Sequence, residues 1–239
     1  MFLGSIATVV LGFWMVFHDQ TAALTALFML WGLLAIYSQS QSIGIYSALI
    51  YLILLGDIRR IAAWINGFSP YDLLILVGPI FVTLITLPVF FRVRMKDTPS
   101  KLVLALMVIM LLQIVNPGQG GILVGLAGLL ITLPPLLWFW VGRSFGSEEM
   151  IRTVAYKIMI PAALFGSLIG FYQTFVGVPF WQQAWVDYAH SIHFAIVDFG
   201  GNHVRSFGFS TVTSEYTNLM LLACIFCVIG AIAGRRVDW

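Results

Sequence analysis

The feature that most constrains this chain is a succession of apolar runs too continuous for a protein folded in water. Residues 73–91 and 122–141 are each about as long as a helix needs to cross a hydrocarbon core of ~30 Å. Hydrophobic residues make up 60% of the chain and charged residues 9%, against roughly 25% charged in a soluble domain. Lipid is therefore the expected solvent for most of the surface. Barrel strands alternate apolar and polar over about ten residues, whereas these runs do not alternate. A helix satisfies its own backbone groups in lipid, so the expected fold is all-α, a polytopic transmembrane helix bundle forming a single integral-membrane domain over 1–239.

Eight spans are predicted, at 2–17, 21–38, 42–56, 73–91, 102–115, 122–141, 154–176 and 217–234. The first has no basic leader and no small-residue cleavage site, so it reads as a retained span. The third and fifth are short, and their helices are expected to extend into flanking polar residues. Nine of the twelve Lys and Arg fall on one side of this arrangement: Arg92, Arg94, Lys96, Lys101, Arg143, Arg152, Lys157, Arg235 and Arg236. By the positive-inside rule that side is cytoplasmic, with both termini. Arg59, Arg60 and Arg205 fall on the opposite, outer side.

Between spans three and four, residues 57–72 place Ile58, Ile61, Ala62 and Ile65 at near-helical spacing beside Trp64. This reads as a short amphipathic helix in the interface plane. Its Arg59 and Arg60 suit an anionic headgroup or a lipid-linked pyrophosphate, although simple contact with lipid phosphates explains them equally well. Residues 116–121, NPGQGG, read as a tight outer turn. Pro134, Pro135 and Pro161 lie within spans and predict kinks. Cys224 and Cys227 form a C-x-x-C at membrane depth and read as packing residues. No glycine-rich phosphate loop precedes a helix, and the basic segment 92–101 is too short for a nucleic-acid surface.

The outer loop 177–216 carries most of the remaining polar chemistry. Asp187, His190 and His193 recur at three-residue spacing, which on a helix puts them on one face. Two histidines and a carboxylate are a possible metal set, but the spacing is generic and no metal is assigned. Imidazoles at His190, His193 or His203 also suit general acid–base work. Trp181, Trp185, Tyr188 and Phe194 suit an interfacial aromatic belt whatever the histidines do. Asp198 to His203 reads as a glycine turn, and Arg205 follows where the chain returns to the membrane.

Residues 204–216, opening Val204-Arg205-Ser206-Phe207-Gly208-Phe209, resemble the arginine-led signature of the O-antigen ligase and O-antigen polymerase superfamily. There the motif follows an outer loop and leads into the next span. Three further stretches are similar in order and spacing to polymerase-like members: DIRR with GFSPYDLLILVGPI in 57–80, LQIVNPGQGGILVGLAGL in 112–129, and GFYQTFVGVPF in 170–180. The resemblance covers most of 50–225. It implies a bacterial inner-membrane protein that handles undecaprenyl-pyrophosphate-linked glycan on the outer face without metal, nucleotide or other cofactor. Arg205 would contact the pyrophosphate, assisted by Arg59 or Arg60, since fixed guanidinium groups stabilise charge developing on a diphosphate leaving group. The base near the acceptor hydroxyl would come from His190, His193 or His203. Family members are longer and carry a second large outer loop, so a chain ending at Trp239 corresponds to their first half. Two functions follow: a glycosyltransferase-like activity completed by a missing half or partner, or a non-catalytic subunit packed within a larger membrane complex. The expected partners are membrane lipids, lipid-linked glycan and other membrane subunits, with no nucleic acid.

Overall fold

The computed structural model describes residues 21–67, 72–92, 97–191 and 205–232, which are helical apart from short connections. Eight helices follow in order: α1 (Thr21–Gln39), α2 (Gln41–Asn66), α3 (Leu74–Arg92), α4 (Thr98–Gln113), α5 (Ile122–Phe145), α6 (Glu148–Phe175), α7 (Phe180–Ser191) and α8 (Thr213–Ile232). Five of them, α1, α3, α5, α6 and α8, are long and apolar enough to cross a membrane. Their outer faces carry large exposed apolar side chains; Phe165, Leu168, Phe171 and Phe175 on α6 are each more than 60% exposed. Apolar faces of this extent suit lipid or a partner and not water. The predicted span 2–17 lies outside the described residues.

The chain divides into two compact units, one formed by the segment up to Leu74 with everything from Glu148 onward, the other by Ile75–Ser147. In the second unit α4 and α5 form a hairpin. Asp97 caps α4 by accepting from the Ser100 N–H at 3.2 Å, with Pro99 in the first turn. This starts the helix earlier than the predicted 102. The NPGQGG turn contains a single 3₁₀ turn, Pro117–Gln119, in which Asn116 Oδ1 accepts from the Gly118 N–H at 3.0 Å. Gly125 is required by the close approach of the two helices: a Cβ there would stand 2.5 Å from the Ile114 carbonyl oxygen. Helix α5 contains Pro134 and Pro135 and continues past both to Phe145.

In the first unit, Ser40 alone separates α1 from α2, capping α2 by accepting from the Ile43 N–H. Helix α2 corrects the expected break between span 42–56 and an interfacial helix: a single helix runs from Gln41 to Asn66. No helix breaker lies between Gly56 and Asn66. Of the charges on this segment, Asp57 and Arg60 are bonded inside the fold, and the partly exposed Arg59 pairs with Asp72, as described below. Helix α6 absorbs Pro161 by widening. Residues Thr153–Met159 form a π turn in which the Ile160 N–H donates to the Ala155 carbonyl, so the proline begins the α-helix that follows. Helix α8 packs on α6, with Gly230 placed where a Cβ would stand 2.4 Å from the Tyr156 hydroxyl. The expected outer loop 177–216 opens with helix α7, which packs on α2.

Candidate functional site

The strap that leads from Arg205 into α8 is organised by its Phe207-Gly208-Phe209 triplet. In an extended segment residues two apart would share a face, but the left-handed turn at Gly208 sends each phenylalanine into a different core cluster. Phe207 joins Val186 and Ala189 of α7, with Trp185 and Val178 beside them. Phe209 joins Ala163 of α6 and Leu219 and Ala223 of α8, with Ile53 of α2 against them. Gly208 between them adopts φ +55°, and a Cβ there would stand 2.9 Å from the Tyr216 ring. That φ and that contact leave room only for glycine. Gly56 makes the matching concession on α2. Its missing Cβ would lie 2.3 Å from the Ser210 backbone, and the approach lets the Asp57 N–H reach the Phe209 carbonyl at 3.1 Å.

A buried polar knot holds this strap. Arg60 of α2 is 2% exposed. Its Nη2 donates to the carbonyls of Ser210 at 2.6 Å and Thr211 at 3.2 Å, and its Nη1 donates to Asp57 Oδ1 at 3.4 Å. The guanidinium carbon lies 4.2 Å from the Phe207 ring centroid and 4.6 Å from that of Trp185. Asp57 also accepts from Gln182 Nε2 at 2.5 Å. Gln182 and Gln173, from α7 and α6, bond each other at 2.7 Å. Gln173 Oε1 accepts from the Phe207 and Gly208 N–H groups at 3.0 and 2.9 Å, and its Nε2 donates to the Gly208 carbonyl at 3.0 Å. Two glutamines thus satisfy both faces of the strap's glycine.

The balance of forces explains why the charge sits inside. Desolvating an ion costs several kcal/mol. Hydrogen bonds from a charged donor return about 1.5–3 kcal/mol each, and a desolvated cation–π contact about 2 kcal/mol. Arg60 makes three of the former and two of the latter, which together offset the cost. Burial lowers its pKa to about 10, with Asp57 opposing the shift, so it stays charged at neutral pH. Burial likewise raises Asp57, while its bonds from Gln182 and Arg60 pull it back.

The residues predicted as a site are therefore placed unequally. Arg60 faces inward with Nη2 bonded to the strap and Nη1 to Asp57, leaving little of its fork for an outside ligand. Arg59 is partly exposed and ion-paired with Asp72. Arg205 is exposed at the head of the strap. Next to it Ser206 Oγ stands 2.5 Å from Thr174 Oγ1, and both hydroxyls lie within reach of the Gly170 carbonyl, at 3.0 and 2.9 Å. At the far end Glu215 Oε2 accepts from the Thr211 N–H at 3.0 Å. His190 belongs to the last turn of α7; its side chain, and His193 and His203 entirely, lie outside the described residues. Asp187 is on the exposed face of α7 and accepts from Gln183 at 2.8 Å, whereas Gln182, Val186 and Ala189 form the face that enters the core. Among the described residues no three His, Cys, Asp or Glu side chains are grouped to hold a metal ion. Cys224 and Cys227 are free thiols on the exposed surface of α8.

Sequence reasoning missed Gln173 and Gln182. Their signal was present: two amides in the otherwise mostly apolar stretch 170–182 must find partners if they enter the interior. No protein-family model, curated protein or solved structure matches the chain.

Proposed function

We propose that this is a polytopic protein of the bacterial inner membrane, with eight spans and both termini cytoplasmic, that binds polyprenyl-pyrophosphate-linked glycan at its outer face. In this reading Arg205 grips the diphosphate at headgroup level, and Arg59 adds positive charge nearby. The chemistry is glycosyl transfer, completed by a further half or partner. The acceptor hydroxyl oxygen bonds to the anomeric carbon as the bond from that carbon to the diphosphate oxygen breaks. The electron pair leaves with the diphosphate, and a histidine among His190, His193 and His203 takes the hydroxyl proton. What supports the reading is the order of motifs along the chain, and above all one observation. Arg205 stands exposed at the head of a strap whose residues 207–211 are bonded to buried Arg60, Gln173 and Gln182, so it is presented from a well-held support. Preorganised charge of this kind is what diphosphate binding requires.

The experiment is binding of undecaprenyl-diphosphate-linked glycan to the protein in lipid nanodiscs, for wild type and Arg205→Ala. A charge-assisted hydrogen bond contributes about 1.5–3 kcal/mol, and 1.4 kcal/mol is tenfold in affinity. The expected loss is therefore about tenfold or more, with the fold retained. Equal affinity of the two proteins sinks the role of Arg205. The second reading, a non-catalytic subunit that packs within a membrane complex, is favoured by the internal use of Arg60 and by the wide apolar face of α6. Under that reading neither protein binds the glycan lipid, and native assemblies carry partner helices against α6.

A further inference from the structure

Arg60 and Arg205 are far apart in sequence and are linked by the strap: Arg60 bonds its carbonyls, and Arg205 stands exposed at its head. We infer that Arg60 is a positioning residue: from inside the fold it fixes the strap 206–211 and through it the place where Arg205 meets an anionic headgroup. The inference rests on the diphosphate reading above for what Arg205 binds, but not for what Arg60 holds. Its support is geometric. Arg60 donates to two consecutive strap carbonyls and stacks on strap Phe207. The helix that carries it donates an N–H to a third strap carbonyl, that of Phe209. No other charged side chain among the described residues is as deeply buried as Arg60.

A lysine cannot reproduce this arrangement. Its ammonium would have to serve Asp57 and both strap carbonyls from one nitrogen, where Arg60 uses Nη1 for the first and Nη2 for the others, and it has no flat face for Phe207. Arg60→Lys keeps the charge opposite Asp57 and so avoids a lone buried carboxylate, yet releases the strap. Two results are expected. Amide hydrogen exchange at 207–211 accelerates, and affinity for undecaprenyl-diphosphate-linked glycan in nanodiscs falls about tenfold, the loss of the one charge-assisted bond that Arg205 would no longer be held to make.

The decisive variant pins the strap by another route. Thr174 Oγ1 and Ser206 Oγ are 2.5 Å apart, a separation that suits a disulfide between cysteines at these positions. The protein for this test carries Thr174→Cys, Ser206→Cys and Arg60→Lys, with Cys224→Ala and Cys227→Ala to prevent exchange. If Arg60 positions the strap, oxidation restores both slow exchange and affinity, and reduction abolishes both again. If Arg60 itself touches the ligand, oxidation slows exchange while the affinity stays low, which overturns the inference. Unchanged exchange in Arg60→Lys also overturns it. Should wild type bind no diphosphate lipid at all, the ligand reading falls, and the exchange measurements still decide whether Arg60 holds the strap.

Discussion

Each unit of the molecule carries an aspartate–arginine pair near helix ends, and the two pairs behave oppositely. In the first unit Asp57 and Arg60 sit one helical turn apart on α2, with Arg60 2% exposed and both bonded to groups far away in the chain. In the second, Asp97 and Arg143 join the start of α4 to the end of α5, each more than a third exposed. The buried pair contributes less through its own contact, at 3.4 Å, than through the backbone carbonyls and amides it organises. The exposed pair has little to organise beyond the Ser100 hydroxyl, which Arg143 also reaches at 2.8 Å. An ion pair is structurally consequential when it has neighbours that nothing else can satisfy.

The sharpest way to break the comparison is Arg60→Met. It leaves the Asp57 charge buried without its cation and strips Ser210 and Thr211 of their donor. Removing one partner of a buried pair typically costs about 3–5 kcal/mol, and the same is expected here, read as a shift in the unfolding midpoint in mixed micelles. A loss no larger than that of a surface pair would mean that the strap is held by its phenylalanines alone.

Next comes the room the strap needs. Gly56→Ala places a methyl 2.3 Å from the Ser210 backbone, which cannot retreat without breaking the bond from the Asp57 N–H to Phe209. Gly170→Ala meets the Tyr216 hydroxyl at 2.4 Å, the far end of a side chain that can swing. Overpacking costs about 1–3 kcal/mol, with Gly56→Ala expected at the upper end and Gly170→Ala at the lower. The reverse order, measured by the same unfolding assay, would show that α6 and α8, and not α2, set the position of the strap.

These contacts mark where the sequence could be read and where it could not. Apolar runs predicted helices at nearly every position where the described residues have one, because a run of that length in lipid has one economical backbone solution. The break after residue 56 was misread because Asp57, Arg59 and Arg60 look interfacial by local spacing. Arg59 pairs with Asp72, 13 residues on, but Asp57 and Arg60 also have partners 125 to 151 positions away, and local pattern carries no sign of those. Gln173 and Gln182 were hidden by partners 26 to 35 residues on, in the strap, and for Gln182 by Asp57 on α2. The Phe207-Gly208-Phe209 triplet was recognisable as part of a motif, yet its physical role, two plugs for two cores with a glycine between, needed the neighbouring helices to be in place. Arg205, between loop and span in the sequence, is exposed in the structure.

The exposed pair supplies the smallest effect and a test by acid. Arg143 beside it, with the Ser100 bonds, holds the Asp97 carboxyl down to about 2, against ~3.9 for an aspartate in an unfolded chain. A carboxylate whose folded pKa is depressed contributes stability that is complete above its unfolded value and lost as pH falls through its folded one. The contribution of Asp97 should therefore be constant from neutral pH to about pH 4 and fade between about pH 4 and pH 2. Asp97→Asn keeps an oxygen to cap α4 but removes the charge. It should lower the unfolding temperature slightly at neutral pH, by less than any substitution above, and the gap to wild type should shrink toward pH 2, where the folded carboxyl is already half protonated. A gap between the two proteins that persists undiminished at that pH would assign the stability to the shape of the cap, and leave the ion pair with Arg143 as a bystander at the surface.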